Sequence, residues 1–104
     1  MHIYDIYIAY VSWGDGGKRR PVLILEQGGG GVIAFNITTR YDGKSQAIRS
    51  KFFKIEDWQQ TGLSQESYID TNSTVTLPLS AIEHPIGILT EADVKRLFEF
   101  LAKL

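Results

Sequence analysis

The chain has 104 residues, 43% of them apolar, and carries a net charge of −1. That suits one domain over 1–104 with a single core, and it argues against indiscriminate nucleic-acid binding. Cysteine is absent, which excludes disulfides and thiolate metal sites. No apolar run approaches the roughly 18 residues of a membrane span, and the N-terminus lacks the pattern of a secretory signal. A cytoplasmic protein is the expectation.

Residues 3–12 (IYDIYIAYVS) predict a strand whose two alternating faces are both apolar, as in a small barrel. A glycine-rich loop follows over 13–19. Residues 21–26 (PVLILE) predict a buried strand, with Pro21 tolerated at its first position. Gln27 to Gly31 reads as a hairpin turn whose glycines accept positive φ. Residues 32–39 predict a third strand, and Tyr41-Asp42-Gly43-Lys44 a further turn. Residues 46–54 predict a fourth strand, then a short helical turn around Trp58 closed by Gly62. Residues 67–70 and 74–77 predict two short strands, and Pro85-Ile86-Gly87-Ile88 a brief extended stretch. Thr90 then caps a helix, with Asp93 three residues on. Val94, Leu97, Phe98, Leu101 and Leu104 share one face of that helix. The sum is a mainly β (α+β) fold: twisted antiparallel strands forming a sheet or small barrel, with a C-terminal helix.

Charge is unevenly spread. Residues 1–54 hold eight cations against four anions, and residues 55–104 hold three against eight. The basic half can attract a polyanion; ordinary surface scatter is the alternative. Lys18-Arg19-Arg20-Pro21 delivers three consecutive cations to a strand start, and Thr38-Thr39 ends the neighbouring strand beside Arg40. A guanidinium is a planar fork of donors that stays charged at any working pH, so Arg20 suits a phosphate whose charge grows during reaction. A plain surface arginine is the competing reading, as is a strand-forming role for Thr38 and Thr39. Trp13 can stack on a base. Trp58 reads as a core anchor. Phe52 and Phe53 are adjacent, so one points inward and the other outward. His2 and His84 make no catalytic pair, and no His, Asp or Glu spacing suggests a metal. The run Gly28 to Gly31 is not followed by Lys-Ser/Thr, so it is no phosphate loop.

These features, in order, resemble the PemK/MazF family of toxin endoribonucleases. The matching segments are Asp5-Ile6-Tyr7; Lys18-Arg19-Arg20-Pro21-Val22-Leu23-Ile24; Ile37-Thr38-Thr39; Trp58 with Gly62-Leu63; Ser67-Tyr68-Ile69; Thr76-Leu77-Pro78; and Ile86-Gly87-Ile88-Leu89-Thr90. The resemblance implies an SH3-like barrel with a terminal helix, assembled as a homodimer. It implies cofactor-free, metal-independent cleavage of single-stranded mRNA by the ribose 2′-OH, and a cognate antitoxin protein as partner. Its essential arginine and threonine match Arg20 and Thr38. Lys18, Arg19, Thr39, Arg40 and Trp13 are the expected RNA contacts. Two departures stand out. The first loop has Asp15-Gly16-Gly17 where many members carry Glu-Gln before a glycine. Asp70 and Asn72 stand where some members have an Arg-x-Asp pair. The alternatives are an inactive binding module and a gyrase poison on the same fold. The chain end, Phe100-Leu101-Ala102-Lys103-Leu104, lacks the Trp-Gly-Ile tip of such poisons.

Overall fold

A computed structural model describes residues 1–104. Six strands and two helices form in the order β1 (Asp5–Trp13), β2 (Gly16–Gly28), β3 (Gly31–Thr38), α1 (Gln46–Arg49), β4 (Phe52–Lys54), β5 (Tyr68–Pro78), β6 (Ile82–Ile88) and α2 (Glu91–Ala102). All pairings are antiparallel, in the spatial order β4-β5-β3-β2-β1-β6. Irregularities between Ile24 and Glu26 and between Ala34 and Asn36 break the register of the central strands. Such breaks bend a sheet and raise its twist.

Both faces of the central strands are apolar because both are covered. On one face Ile6, Leu23, Phe35, Ile37, Phe53 and Ile69 pack with Leu89 and Leu97 from the α2 region. On the other, Ala9, Val11, Val22, Ile24, Val32, Ala34 and Leu77 form a second cluster. The strands therefore show no simple polar/apolar alternation, in agreement with the reading of residues 3–12.

Four expected elements need correction. The glycine stretch 13–19 is not a loop but a two-stranded arm. Trp13 pairs with Gly16 and Ser12 with Gly17, so only Gly14-Asp15 turns. A side chain at Gly17 would meet the Tyr10 ring at 2.6–2.8 Å, which is why glycine continues the strand there. Residues 46–54 are not one strand. Ser45 caps a helical turn by accepting from the Ile48 N–H at 3.3 Å, and β4 begins only at Phe52. Residues 67–70 and 74–77 belong to the single strand β5, whose two ends pair with opposite ends of β3. The brief extended stretch expected at Pro85–Ile88 is the second half of a strand that starts at Ile82, and Pro85 is tolerated because β6 is an edge strand.

Phe52 and Phe53 are both buried. Phe53 meets Phe100 edge-on, while Phe52 packs against Tyr41 and Tyr68. They point apart, as alternation demands, but no outward phenylalanine results. Trp58 is half-buried against the α2-side core, and Gly62 follows the turn at φ +86°.

The α2 cap forms as expected, since Thr90 Oγ1 accepts from the Asp93 N–H at 3.2 Å. Asp93 is fully buried. Its carboxylate accepts from the Glu56 and Asp57 N–H groups at 3.2 and 2.8 Å, and from Arg96 Nε at 3.0 Å. One residue thus ties the helix start to the segment after β4. The helix buries Leu97 and packs Val94 and Phe100, whereas Phe98 is 69% exposed. The expected face was therefore rotated: Phe98, Leu101 and Leu104 lie outside the core. No helix is long and apolar enough to cross a membrane.

Candidate active site

Strand alternation decides which basic side chains meet. On β2, Lys18, Arg20 and Val22 share one face and Arg19 the other. The β2–β3 register pairs Val22 with Asn36. Two residues further along the same face, beyond the last β2–β3 pair, come Arg20 on β2 and Thr38 on β3. Thr38 in turn pairs with Tyr68 of β5. The even-numbered residues of three neighbouring strands thus build one surface.

At the Arg20–Thr38 end of these strands lies a cleft of about 160 Å³, lined by Lys18, Arg19, Arg20, Pro21, Ile37, Thr38, Thr39, Arg40 and Ser67. Two larger cavities exist. One of about 520 Å³ lies at the Gly28–Gly31 hairpin, with Glu26 on its wall. One of about 590 Å³ lies between Ile3, Ile88 and Phe98, rimmed by Glu91, Glu99 and Lys95. Neither gathers cations beside hydroxyls. The smallest cleft is the chemically built one.

Within it, Arg20 is half-buried, and its Nε is enclosed with no hydrogen-bond partner. Burial pushes the guanidinium below its ordinary pKa; Arg40 adds to the effect and Asp70 opposes it. Lys18 is held below its ordinary value first by the Arg20 charge, then by burial and by Arg40. Three cations therefore converge and repel one another. Thr38 Oγ1 accepts from the Arg40 N–H at 3.0 Å, which folds the chain back at the strand end. The Thr38 hydroxyl hydrogen stays free to donate. An anion between Arg20 and Thr38 would gain a guanidinium fork and an O–H donor and relieve the repulsion.

Arg20, Thr38, Lys18, Thr39 and Arg40 all border this cleft. Arg19 reaches its wall, but its Nε donates to Glu83 Oε2 at 2.8 Å. Its charge is thereby committed across β1 to β6. Trp13 is 52% exposed at the arm tip and does not line the cleft. It covers Gly16, where a side chain would meet the indole nitrogen at 3.1 Å. His2 and His84 lie outside the lining, which contains no histidine and no carboxylate. No group of three or more His, Asp or Glu side chains is placed to hold a metal ion.

Asp70 and Asn72 form a clamp. Asp70 Oδ1 accepts from the Asn72 N–H at 2.9 Å and from its Nδ2 at 2.8 Å. Asn72 Nδ2 also donates to the Ile48 carbonyl at 3.1 Å. The pair fastens α1 to β5 while Asp70 sets a negative charge near Arg20. Sequence reasoning missed Ser67, which joins the lining only because β5 returns beside β3. It also missed Tyr41 and Tyr68, whose rings stack at 4.6 Å. Their spacing of 27 residues carried no local signal.

No family model matches the chain. It is 33% identical over 96 residues to a probable endoribonuclease MazF of Mycolicibacterium smegmatis, covering 88% of this chain and 84% of that protein. The fold is similar to the Mycobacterium tuberculosis toxin MazF-mt6, with a TM-score of 0.73, 26% identity, and 95% and 93% of the two chains covered. A mycobacterial endoribonuclease solved with its cognate antitoxin matches with a TM-score of 0.68 over 99% of this chain and 92% of that one. At 17% identity, it supports the fold alone.

Proposed function

This chain belongs to the MazF family of toxin endoribonucleases, and from that premise we propose that it cleaves single-stranded RNA in the Arg20–Thr38 cleft. It is the toxin of a toxin–antitoxin pair, and an antitoxin protein is its partner. A homodimer working in the cytoplasm is part of the same reading.

The supporting observation is the geometry at one strand row. An arginine with an unpartnered, enclosed Nε shares a cleft with a threonine whose hydroxyl hydrogen is free, beside two further cations, Lys18 and Arg40, that no salt bridge holds. The reaction that suits it is transphosphorylation. The ribose 2′-oxygen bonds to phosphorus, the bond to the 5′-oxygen breaks, and the 2′-OH proton leaves as the 5′-OH gains one. A 2′,3′-cyclic phosphate and a 5′-OH result. Arg20 bears the charge that grows on the phosphorane oxygens, and Thr38 donates to a phosphoryl oxygen or orients the 2′-OH. The lining carries neither histidine nor carboxylate, so these residues act by positioning and electrostatics. Lys18 and Arg40 hold the flanking phosphates. No step calls for a cofactor.

Purified protein is incubated with single-stranded RNA in EDTA, and the product ends are mapped. Cyclic-phosphate and 5′-OH ends are expected, with the activity lost in Arg20→Ala and reduced in Thr38→Val. Full activity in Arg20→Ala overturns the site. Inertness of the wild type toward every RNA tried favours a binding module, and trapped gyrase–DNA cleavage favours a gyrase poison.

A further inference from the structure

Arg40 borders the cleft from a turn rather than from a strand. A side chain in a free turn holds position poorly, and this one faces two like charges, Lys18 and Arg20. Arg40 has no ion-pair partner among the salt bridges of the chain. Something else must keep it at the cleft.

We propose that Tyr41 is a positioning residue that fixes the Thr38–Tyr41 turn and so holds Arg40 at the mouth of the cleft; this rests on the RNA-cleaving reading of that cleft. The turn is fastened at both ends. At its start, Thr38 Oγ1 accepts from the Arg40 N–H at 3.0 Å. At its end, the Tyr41 ring stacks on Tyr68 with centroids 4.6 Å apart and planes at 22°. Tyr68 is the strand partner of Thr38, so the chain leaves β3 at Thr38 and is caught three residues later by the neighbour of that same residue. Phe52 packs against both rings, at 6.2 and 6.4 Å. The Arg49 guanidinium lies 5.5 Å from the Tyr41 ring centre. Arg49 is in turn carried by α1, which the Asp70–Asn72 clamp fastens to β5. The anchor is rigid because its parts come from β4, β5 and α1, not from the turn itself.

A positioning role makes demands that mere structural support does not. Removing the ring should weaken RNA binding through Arg40, while the chemical step at Arg20 and Thr38 continues. Binding is read with 2′-O-methyl RNA and turnover with cleavable RNA, for wild type, Tyr41→Phe, Tyr41→Ala, Arg40→Ala and the Tyr41→Ala/Arg40→Ala double variant. Aromatic pairs of this kind are worth roughly threefold to tenfold in an equilibrium constant. Tyr41→Ala should raise KM and Kd by about that factor and leave kcat within about twofold. It should also lower the slope of log K against log salt by about 0.7, one phosphate contact on a single strand. Tyr41→Phe should match wild type. In the Arg40→Ala background, Tyr41→Ala should add nothing. Thermal melts confirm folding, and Tyr41→Leu replaces Tyr41→Ala if the latter unfolds. An active wild type with unchanged KM and salt slope in Tyr41→Ala overturns the inference alone, as do additive effects of the two substitutions. A wild type that neither binds nor cleaves RNA overturns the nuclease reading as well.

Discussion

Arg20→Met should move activity and stability in opposite directions. The aliphatic stem is kept and the guanidinium removed. In the folded chain that guanidinium makes no hydrogen bond through its enclosed Nε. It is also disfavoured by burial and by Arg40, with only Asp70 in its favour. Its folded pKa is therefore lowered, and for a cation this means that the charged form opposes folding. Replacing it should raise stability by zero to about 1 kcal/mol, the low end for groups still partly open to solvent. For a domain of this size each kilocalorie moves Tm by roughly 4–8 °C. The same change removes the one charge placed for the transition state, worth about 3–4 kcal/mol or 10²–10³ in rate. Urea unfolding with a constant m-value gives the first quantity, and single-turnover cleavage the second. A loss of stability above about 1 kcal/mol would mean that Arg20 is a structural residue. Cleavage within about tenfold of wild type would mean that it does not meet the transition state.

Lys18 supplies a pH test. Its pKa is held below the ordinary 10.5 in the free chain, and a bound phosphate would restore it, so binding takes up a proton. Affinity for 2′-O-methyl RNA should then fall with rising pH, starting below the range of an ordinary lysine, and Lys18→Arg should flatten the curve. Asp93→Asn should destabilise by about 2–4 kcal/mol, because a charged acceptor of two backbone N–H groups is replaced by a partial donor; an unchanged urea midpoint contradicts this. Gly87→Ala should cost at least about 3 kcal/mol, since its Cβ would overlap the Thr61 carbonyl oxygen. Gly28→Ala, with nothing within 4 Å, should stay within about 0.5 kcal/mol, both by thermal melting.

The fold was legible where pattern is local. Thr90 with Asp93, a hairpin turn within Gln27 to Gly31, and the apolar strands at 21–26 and 32–39 could be read directly, although the turn itself is only Gly29-Gly30. It was misread where a distant partner decides. Residues 46–54 have β-compatible composition, yet Ser45 caps a helical turn and Asn72 fastens it from β5. The glycines at 16 and 17 look like loop residues until they are paired with Trp13 and Ser12 and the Tyr10 ring is laid over Gly17. Phe98 fits the helical spacing, but α2 lies on the sheet through Leu97 and Phe100 because Asp93 fixes its rotation. That Arg20 and Thr38 lie in one cleft was legible from their places at neighbouring strand ends and from the resemblance. Tyr41 and Tyr68 were not, because stacking between a turn and a strand leaves no periodic trace.

The run Lys18-Arg19-Arg20 shows why a count of charges misjudges a cleft. Its middle member reaches the cleft wall but is ion-paired to Glu83. The third cation of the cleft comes instead from Arg40, on another element. Three unpaired cations around one cleft are unfavourable for the empty protein; the paired strands keep Lys18 and Arg20 there, and the turn after Thr38 brings Arg40 to them. A polyanion removes that penalty on binding, whereas a neutral ligand of the same shape does not. The discrimination thus resides in repulsion already present in the free chain, which is also why its net charge of −1 says little about what the cleft attracts.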